Sequence, residues 1–451
     1  MSKQLDLTRI GPRLVLATAA ALVLASAALL SRVGADAQWL AALGQNIVAH
    51  HAVPAGVPFA AAPTVHWPNA LVLAELIMGG LERGLGDRGL MLAQLVAVGL
   101  ALGILAWDAE REGADGVGTG AALLVAGIGA LPSLAIVRVQ MFSLVLFPLM
   151  IALLRAQSRS PSRAIWLAVP LLAVWSNLHG GALLGAGTLI VYLIFERRRH
   201  EPALALAVAG ASLAALCLTP VLLRTASYYH GLLTNLAAQR GAGMWGPLSL
   251  SSPLDLILAL AVAGLVLRMM RAHARRWEWA LVAILAVLTV KADRDGVWLL
   301  FFLVGPAARV LSPGRSLRAL VPIAALLSVA LLGISLIRGP VPSGASRSLV
   351  AGAIGLAHGT PVLAGGSIDE QVALAGGRIW AGNPIDAFSR RVQADYLDWL
   401  AGNAAGVNAL APAVRVVLVA RGSPTQALMA NTPGFAVARA DPGTILYART
   451  G

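Results

Sequence analysis

Charge is what this sequence has least of. Only 12% of its 451 residues are Asp, Glu, Lys or Arg, while 58% are hydrophobic. A soluble chain of ordinary composition carries about twice that charge fraction. Water is therefore excluded as the solvent for most of the chain, and the long uncharged runs point to lipid. Lysine is nearly missing: of 34 basic residues only Lys3 and Lys291 are lysine. There is one cysteine, Cys217, inside an apolar run. That excludes an internal disulfide and a cysteine-based metal site. No His-Glu-x-x-His stretch or EF-hand loop is present, no Asp-x-Asp is expected in the outer loops, and the terminal segment has no Gly-rich phosphate loop. A divalent cation stays open as a cofactor, but no motif marks a place for it, and no other cofactor is implied.

The net charge of +13 does not indicate a nucleic-acid partner, because the arginines stand in short clusters between apolar runs. That is the arrangement that orients a membrane protein. The runs long enough, or nearly long enough, to cross are 13–31, 89–107, 117–134, 139–154, 164–177, 182–195, 202–222, 253–268, 277–291, 297–311 and 319–338. Counting these eleven as crossings puts every strongly basic connection on one side: Lys3, Arg9 and Arg13; Arg155, Arg159 and Arg163; Arg197 to Arg199; Arg268, Arg271, Arg275 and Arg276; Arg315 and Arg318. By the positive-inside rule that side is cytoplasmic. The segment 108–116 is mixed in sign and decides nothing. The count requires that the short apolar stretch 69–83 lie along the outer face rather than cross.

The expected architecture is an α-helical polytopic protein of the cytoplasmic (inner) membrane. Its transmembrane domain covers 1–338, with the N-terminus cytoplasmic and an outer loop 32–88 carrying juxtamembrane helices. A small soluble, extracytoplasmic α/β domain covers 345–451. The last segment has turn signals at Gly365-Gly366, Gly376-Gly377 and Asn383-Pro384, and β-prone runs at 360–364, 414–420, 434–439 and 444–448. Capping-box spacing recurs at Ser367 with Glu370 and at Ser423 with Gln426. Val33-Gly34-Ala35 has the look of a signal-peptidase site. An uncleaved anchor and a cleaved leader are both compatible with residue 36 lying outside.

Polar residues at membrane level are costly to keep and so informative. On the outer side they recur at helix mouths: Asp36 with Gln38 and Trp39, Arg138 with Gln140, Asn177 with His179, and Lys291 with Asp293, Arg294 and Asp295. Singly, each has a bland reading as a solvated loop residue, a helix-end anchor or a tight turn. Jointly they supply cations and an imidazole for a phosphate and a carboxylate for a general base. This set suits sugar transfer from a lipid phosphate carrier on the outer face. Trp245 and Trp298 fall at expected interfaces, where Trp commonly anchors, and His50 and His51 fall on an amphipathic helix as headgroup contacts.

Several motifs resemble those of bacterial membrane proteins of the glycosyltransferase C (GT-C) superfamily, in the branch related to dolichyl-phosphate-mannose and undecaprenyl-phosphate-sugar transferases. Asp36-Ala-Gln-Trp39, Gly44-Gln-Asn-Ile47, Val53-Pro54, Pro58-Phe59 and Trp67-Pro-Asn69 with Glu75 are similar to that family's first outer loop. Arg138-Val-Gln140-Met-Phe-Ser143 resembles its Arg-Pro-Gln-x-Phe-Ser. Trp175-Ser-Asn-Leu-His-Gly-Gly181 resembles its Trp-x-Asn-x-His-Gly, and Ala292-Asp-Arg294 its later Arg motif. Asn383-Pro-Ile-Asp386 resembles part of its terminal soluble domain. The resemblance implies a catalytic aspartate at Asp36 and donor-phosphate or substrate binding by Arg138, Gln140, Asn177, His179, Lys291 and Arg294. Gln38, Trp39, Trp67, Asn69 and Glu75 are left for acceptor binding or structure. It also implies a polyprenyl-phosphate-linked sugar and membrane lipid as partners, with an acceptor that is a glycan, a lipid or a protein. Three departures stand out. Leu40 replaces a His, residues 70–73 lack the second Trp, and no Asp-Gly-Arg surrounds Asp386. A lipid-linked-sugar transporter or flippase and a catalytically degenerate scaffold remain as alternatives.

Overall fold

The computed structural model describes residues 11–34, 36–65, 67–311 and 320–450. Lys3, Arg9, Ala35, Arg315 and Arg318 lie outside the described residues. The chain divides into two compact units, one of Met1–Ser31, Met91–Leu216 and Met244–Val341, the other of Arg32–Leu90, Cys217–Gly243 and Pro342–Gly451.

The first unit is a helical bundle. Each of the eleven apolar runs contains a helix. Among the described residues, four helices are long and apolar enough to cross a membrane by themselves: Pro12–Leu29, Asp87–Arg111, Met141–Arg159 and Val321–Arg338. Three of the others are shorter because their runs are interrupted. The 117–134 run breaks at Ala130, just before Pro132, into Gly116–Gly129 and Leu131–Ala135. The 164–177 run opens as a 3-10 turn over Arg163–Leu167 before Ala168–Ser176. The helix Ala182–Tyr192 ends in a π turn over Leu193–Arg197.

At the centre lies Gly296–Ala308, in which every residue is buried. A helix apolar on all sides has no reason to keep a face on the outside. Small residues let its neighbours close in. A Cβ at Gly127 would lie 2.5 Å from Val23 Cγ2, and one at Gly129 would lie 2.7 Å from Ala261 Cβ. Close backbone approach of this kind replaces the hydrophobic drive that lipid removes. Trp298, expected at an interface, is instead buried on this central helix, its ring 5.4 Å from that of Phe147.

One end of the bundle is tied by ions. The fully buried Arg155 donates to Asp108 at 2.6 Å, to Glu278 at 3.1 Å and to the Phe302 carbonyl at 2.8 Å. Glu112 accepts from Arg159 and pairs with Arg275 at 3.0 Å and with Arg309 at 3.7 Å. The mixed charges of 108–116 thus neutralise arginines of the basic connections.

The second unit contains the terminal segment together with the loops 32–90 and 217–243. It is larger than the segment 345–451 because those loops are stitched into it. Ala61 N–H and Ala62 N–H donate to the Ile379 and Trp380 carbonyls at 2.9 Å each, Ile379 N–H donates to Phe59 O at 2.9 Å, and Val65 N–H donates to Ala387 O at 2.8 Å. Leu236 N–H donates to Gln393 Oε1 at 2.9 Å, and Arg240 pairs with Asp398 at 3.0 Å.

Four strands form its sheet in the order Val362–Ala364, Val416–Ala420, Thr444–Arg449, Phe435–Ala440, the first pair parallel and the rest antiparallel. Leu363 faces Val417, Leu418 faces Leu446, and Val437 faces Tyr447. The first three strands are largely buried, as expected where helices cover a sheet. Helices Ser367–Leu374, Arg390–Leu400 and Pro424–Ala430 alternate with the strands. In the outer loop, Ala37–His50 packs on Val72–Leu85, where a Cβ at Gly44 would collide with the Glu75 carbonyl. Gly44 therefore sets how closely those two helices approach.

Candidate functional site

In the second unit the polar residues gather around the start of the helix Ala37–His50. Asp36 precedes it with φ 76°, a left-handed backbone that a non-glycine residue holds only at a cost of about 1–3 kcal/mol. Its N–H donates to Glu370 Oε1 at 2.7 Å, and Trp39 N–H donates to Glu370 Oε2 at 3.3 Å. Asn383 Nδ2 donates to Asp36 Oδ1 and also, at 3.4 Å, to Glu370 Oε1.

The first N–H groups of a helix have no partner within it. Here a carboxylate from far along the chain takes two of them, as a capping-box glutamate would, and its charge suits the positive end of the helix. This corrects the capping-box reading at Ser367. That helix is preceded by Gly366 and has no side-chain cap, because Glu370 is committed to Asp36 and Trp39. At Ser423 half of the box forms: Ser423 Oγ accepts from Gln426 N–H at 3.2 Å, while Gln426 Oε1 takes Gly422 N–H at 2.6 Å in place of Ser423 N–H. Burial, with the Asp36 carboxylate adding to it, raises Glu370 to about 7. Asp369 is pushed well up by burial and then by Glu370, and Tyr396 Oη donates to it at 3.3 Å.

Two further pairs lie in this unit. Trp67 Nε1 donates to Asp386 Oδ2 at 3.0 Å, and Asn69 Nδ2 donates to Glu75 Oε2 at 2.9 Å. Burial raises Asp386 and takes Glu75 to about 7. The buried phenol of Tyr228 is pushed up by burial and then by Tyr229, Asp386, Asp36 and Glu75. Those carboxylates are thus near enough to one phenol to act on it. Gln38 Nε2 donates to Asp87 Oδ1 at 2.9 Å, and Trp39 packs edge-on to Phe59 at 5.6 Å. Gln38 and Trp39 serve here to hold the loop. His50 Nδ1 lies 2.9 Å from the Asn46 carbonyl, closing the last turn of its own helix.

In the first unit the turn after Ala168–Ser176 carries His179. Trp175 Nε1 donates to Ser143 Oγ at 2.7 Å, Ser143 Oγ lies 2.6 Å from His179 Nδ1, and Gly181 N–H donates to the same Nδ1 at 3.1 Å. Trp175 can only donate, so the Ser143 hydroxyl is free to donate onward. Nδ1 then accepts twice, which leaves the imidazole proton on Nε2. Burial and the neighbouring guanidinium groups of Arg138 and Arg294 push His179 down to about 3. It is a neutral donor beside two cations.

Arg294 lies over the Trp245 ring at 3.8 Å, so Trp245 holds a cation on its face. Asp293 and Asp295 form an Asp-x-Asp in the turn 292–296, which corrects the expectation of none in the outer loops; both are raised by burial and opposed by Arg294 and Arg138. Gln140 is buried just before the helix Met141–Arg159. Asn177 Nδ2 donates to the Ala173 carbonyl at 2.8 Å, completing its own turn. Lys291 is exposed. The structure thus gathers Arg138, His179, Arg294, Asp293 and Asp295.

Sequence reasoning missed Glu370 as the partner of Asp36, and it missed Tyr228 and Asn383. Asn383 looked like a turn residue, and nothing in the spacing ties residue 370 to residue 36. Ser143 was quoted only as part of a motif, without its link to His179. Among the described residues no cluster of three or more His, Cys, Asp or Glu side chains is arranged to hold a metal ion.

No family model matches the sequence, and no curated protein matches it. Among solved structures, ArnT from Cupriavidus metallidurans is similar in two states. The form bound to undecaprenyl phosphate aligns with a TM-score of 0.52 at 14% identity, and the apo form with 0.52 at 15%. Each alignment covers 96% of this chain and 97% of ArnT. The chain therefore shares, over nearly its whole length, the fold of ArnT.

Proposed function

We propose that the protein is a membrane glycosyltransferase that moves a sugar from a polyprenyl phosphate to an extracytoplasmic acceptor, with Asp36 as the general base. The observation that carries this reading is Asp36 itself. A carboxylate that matches the family's first-loop aspartate is kept in a strained left-handed backbone by Glu370 and Asn383. Strain that a surrounding structure over-determines clusters at working sites.

The acceptor hydroxyl attacks the anomeric carbon and gives its proton to Asp36. The bond from that carbon to the phosphate oxygen breaks, and polyprenyl phosphate leaves with the added negative charge. Arg138 and Arg294 supply cations for that charge, and His179 Nε2–H supplies a neutral donor. The undecaprenyl phosphate in ArnT supports a lipid of this class as the donor carrier. In this reading the helices cross the cytoplasmic membrane about eleven times, with the N-terminus cytoplasmic and the terminal segment outside. The acceptor is a glycan, a lipid or a protein. Lys291 is assigned to substrate only as an exposed cation.

The test is sugar transfer in proteoliposomes supplied with undecaprenyl-phosphate-linked sugars and membrane extract as acceptor source. Asp36→Asn is expected to lower turnover at least about a hundredfold. Undiminished turnover in Asp36→Asn removes the proposed base. Lipid movement across the bilayer without any acceptor would favour the transporter reading instead.

A further inference from the structure

Trp245 has no part in the proposed chemistry, yet it touches one of the cations that does. The Arg294 guanidinium carbon lies 3.8 Å from the centre of the half-buried Trp245 ring. At that separation the guanidinium must lie flat on the ring, because an edge-on group would drive a nitrogen into the π face. Stacked flat, it keeps its N–H donors in its own plane, directed past the ring rather than at it.

Both partners stand on backbone that is tied together. The carbonyl of Gly246, next to Trp245, accepts from the N–H of Asp293, next to Arg294, at 3.1 Å. Leu248 N–H donates to the Val290 carbonyl at 3.1 Å, and Ser249 N–H donates to Asp255 Oδ2 at 2.8 Å. The turn Asp293–Asp295 runs directly into Gly296–Ala308, the fully buried central helix. Backbone bonds thus register the ring against the guanidinium, so their contact is built into the loop.

The surroundings explain the use of a ring. Asp293 and Asp295 flank Arg294 in the chain, and Asp255 is near enough to act on Asp293. A carboxylate that fixed Arg294 would also cancel its charge. An aromatic face fixes a cation and leaves the charge in place. That charge is also felt at His179, together with the charge of Arg138.

We propose that Trp245 is a positioning residue, whose ring holds the Arg294 guanidinium so that its N–H edge meets the phosphate of the lipid carrier. The proposal rests on the reading of Arg294 as a donor-phosphate ligand, and not on the identity of the base. Without the ring the charge remains but its direction is lost. The guanidinium must then be ordered at the moment of binding, which costs affinity.

The test uses the full chain in phosphatidylcholine nanodiscs and measures binding of undecaprenyl phosphate, with undecaprenol as the control that lacks the anion. Wild type is expected to prefer the phosphate. Trp245→Leu should weaken binding of undecaprenyl phosphate about tenfold and leave binding of undecaprenol unchanged. Trp245→Phe keeps a ring face and should stay within about threefold of wild type. Trp245→Met also lacks a ring and gives the same reading should Trp245→Leu not fold. In an Arg294→Ala background the loss from Trp245→Leu should vanish, because the ring then has no cation to hold. Undiminished phosphate binding in Trp245→Leu, an equal loss for undecaprenol, or the full loss added to that of Arg294→Ala would overturn the positioning role. Those results would leave the transferase reading standing, since Asp36→Asn tests it separately. A wild type that bound the phosphate no better than undecaprenol would overturn the donor-phosphate reading of Arg294, and the positioning role with it.

Discussion

Glu370 accepts a hydrogen bond from the backbone N–H of Asp36 at 2.7 Å, across 334 positions of chain. Its other oxygen takes Trp39 N–H at 3.3 Å. One carboxylate thus fixes both the start of the helix Ala37–His50 and the backbone of the proposed base. Glu370→Ala leaves both N–H groups without this partner, at about 1–3 kcal/mol each. Glu370→Gln keeps an acceptor for them. The expected outcome in the transfer assay is a fall in kcat with KM little changed for Glu370→Ala, and partial recovery for Glu370→Gln. A pure stability role would instead lower the amount of folded enzyme and leave kcat per folded molecule intact.

Glu75 should make the protein less stable as pH rises. Burial carries its carboxyl from 4.5 to about 7, so the folded form binds a proton more tightly than the unfolded form. Stability is then greatest below about 4.5. It falls as pH rises between about 4.5 and 7, and the loss is complete above 7. The whole effect is at most about 3 kcal/mol. Glu75→Gln can still accept from Asn69 and carries no charge to desolvate. Its melting temperature should vary less with pH across that window, and it should exceed wild type at pH 8.

Gly181→Ala tests the imidazole. A Cβ there would lie 2.6 Å from Ser143 Oγ and 2.8 Å from His179 Nδ1, closer than side-chain atoms approach. The Trp175–Ser143–His179 chain of hydrogen bonds must open, and Trp175 N–H would then lose its buried acceptor at about 1–3 kcal/mol. Binding of undecaprenyl phosphate is expected to weaken, as read by the quenching of bound fluorescent lipid. Unchanged binding would remove His179 from the donor site.

Arg155→Ala should be among the most damaging single changes in the bundle. It leaves Asp108 as a buried charge without its cation and Glu278 with only Arg275 at 3.7 Å, a loss of about 3–5 kcal/mol. Arg155→Met combined with Asp108→Asn and Glu278→Gln removes all three charges and should recover much of the folded protein by size-exclusion chromatography. Failure of the triple variant to recover would mean that the ion cluster does more than neutralise itself.

Much of the local structure was legible because lipid makes patterning harsh. A run of apolar residues between arginine clusters has few alternatives to a helix, and each of the eleven runs contains one. The four terminal strands fall within a residue or two of their β-prone runs for the same reason, since strand periodicity and turn residues are local signals. Gly44 and Gly181 were visible as motif positions, but the physical demand for glycine came from a partner elsewhere: the Glu75 carbonyl in one case, Ser143 in the other.

The sequence by itself determined that lipid is the solvent for most of this chain, where helices form, and which polar residues are too expensive to be idle, because those depend on composition and short-range periodicity. Only the tertiary structure decided that Glu370 holds Asp36, that Ser143 sets the proton of His179, that Trp298 is core and Trp245 a seat for Arg294, and that the outer loop is hydrogen-bonded into the terminal segment. Those relationships join residues scores to hundreds of positions apart, and no local pattern encodes which buried donor will meet which acceptor. The rule that buried polar groups must be paired says only that each has a partner; the packed chain says which.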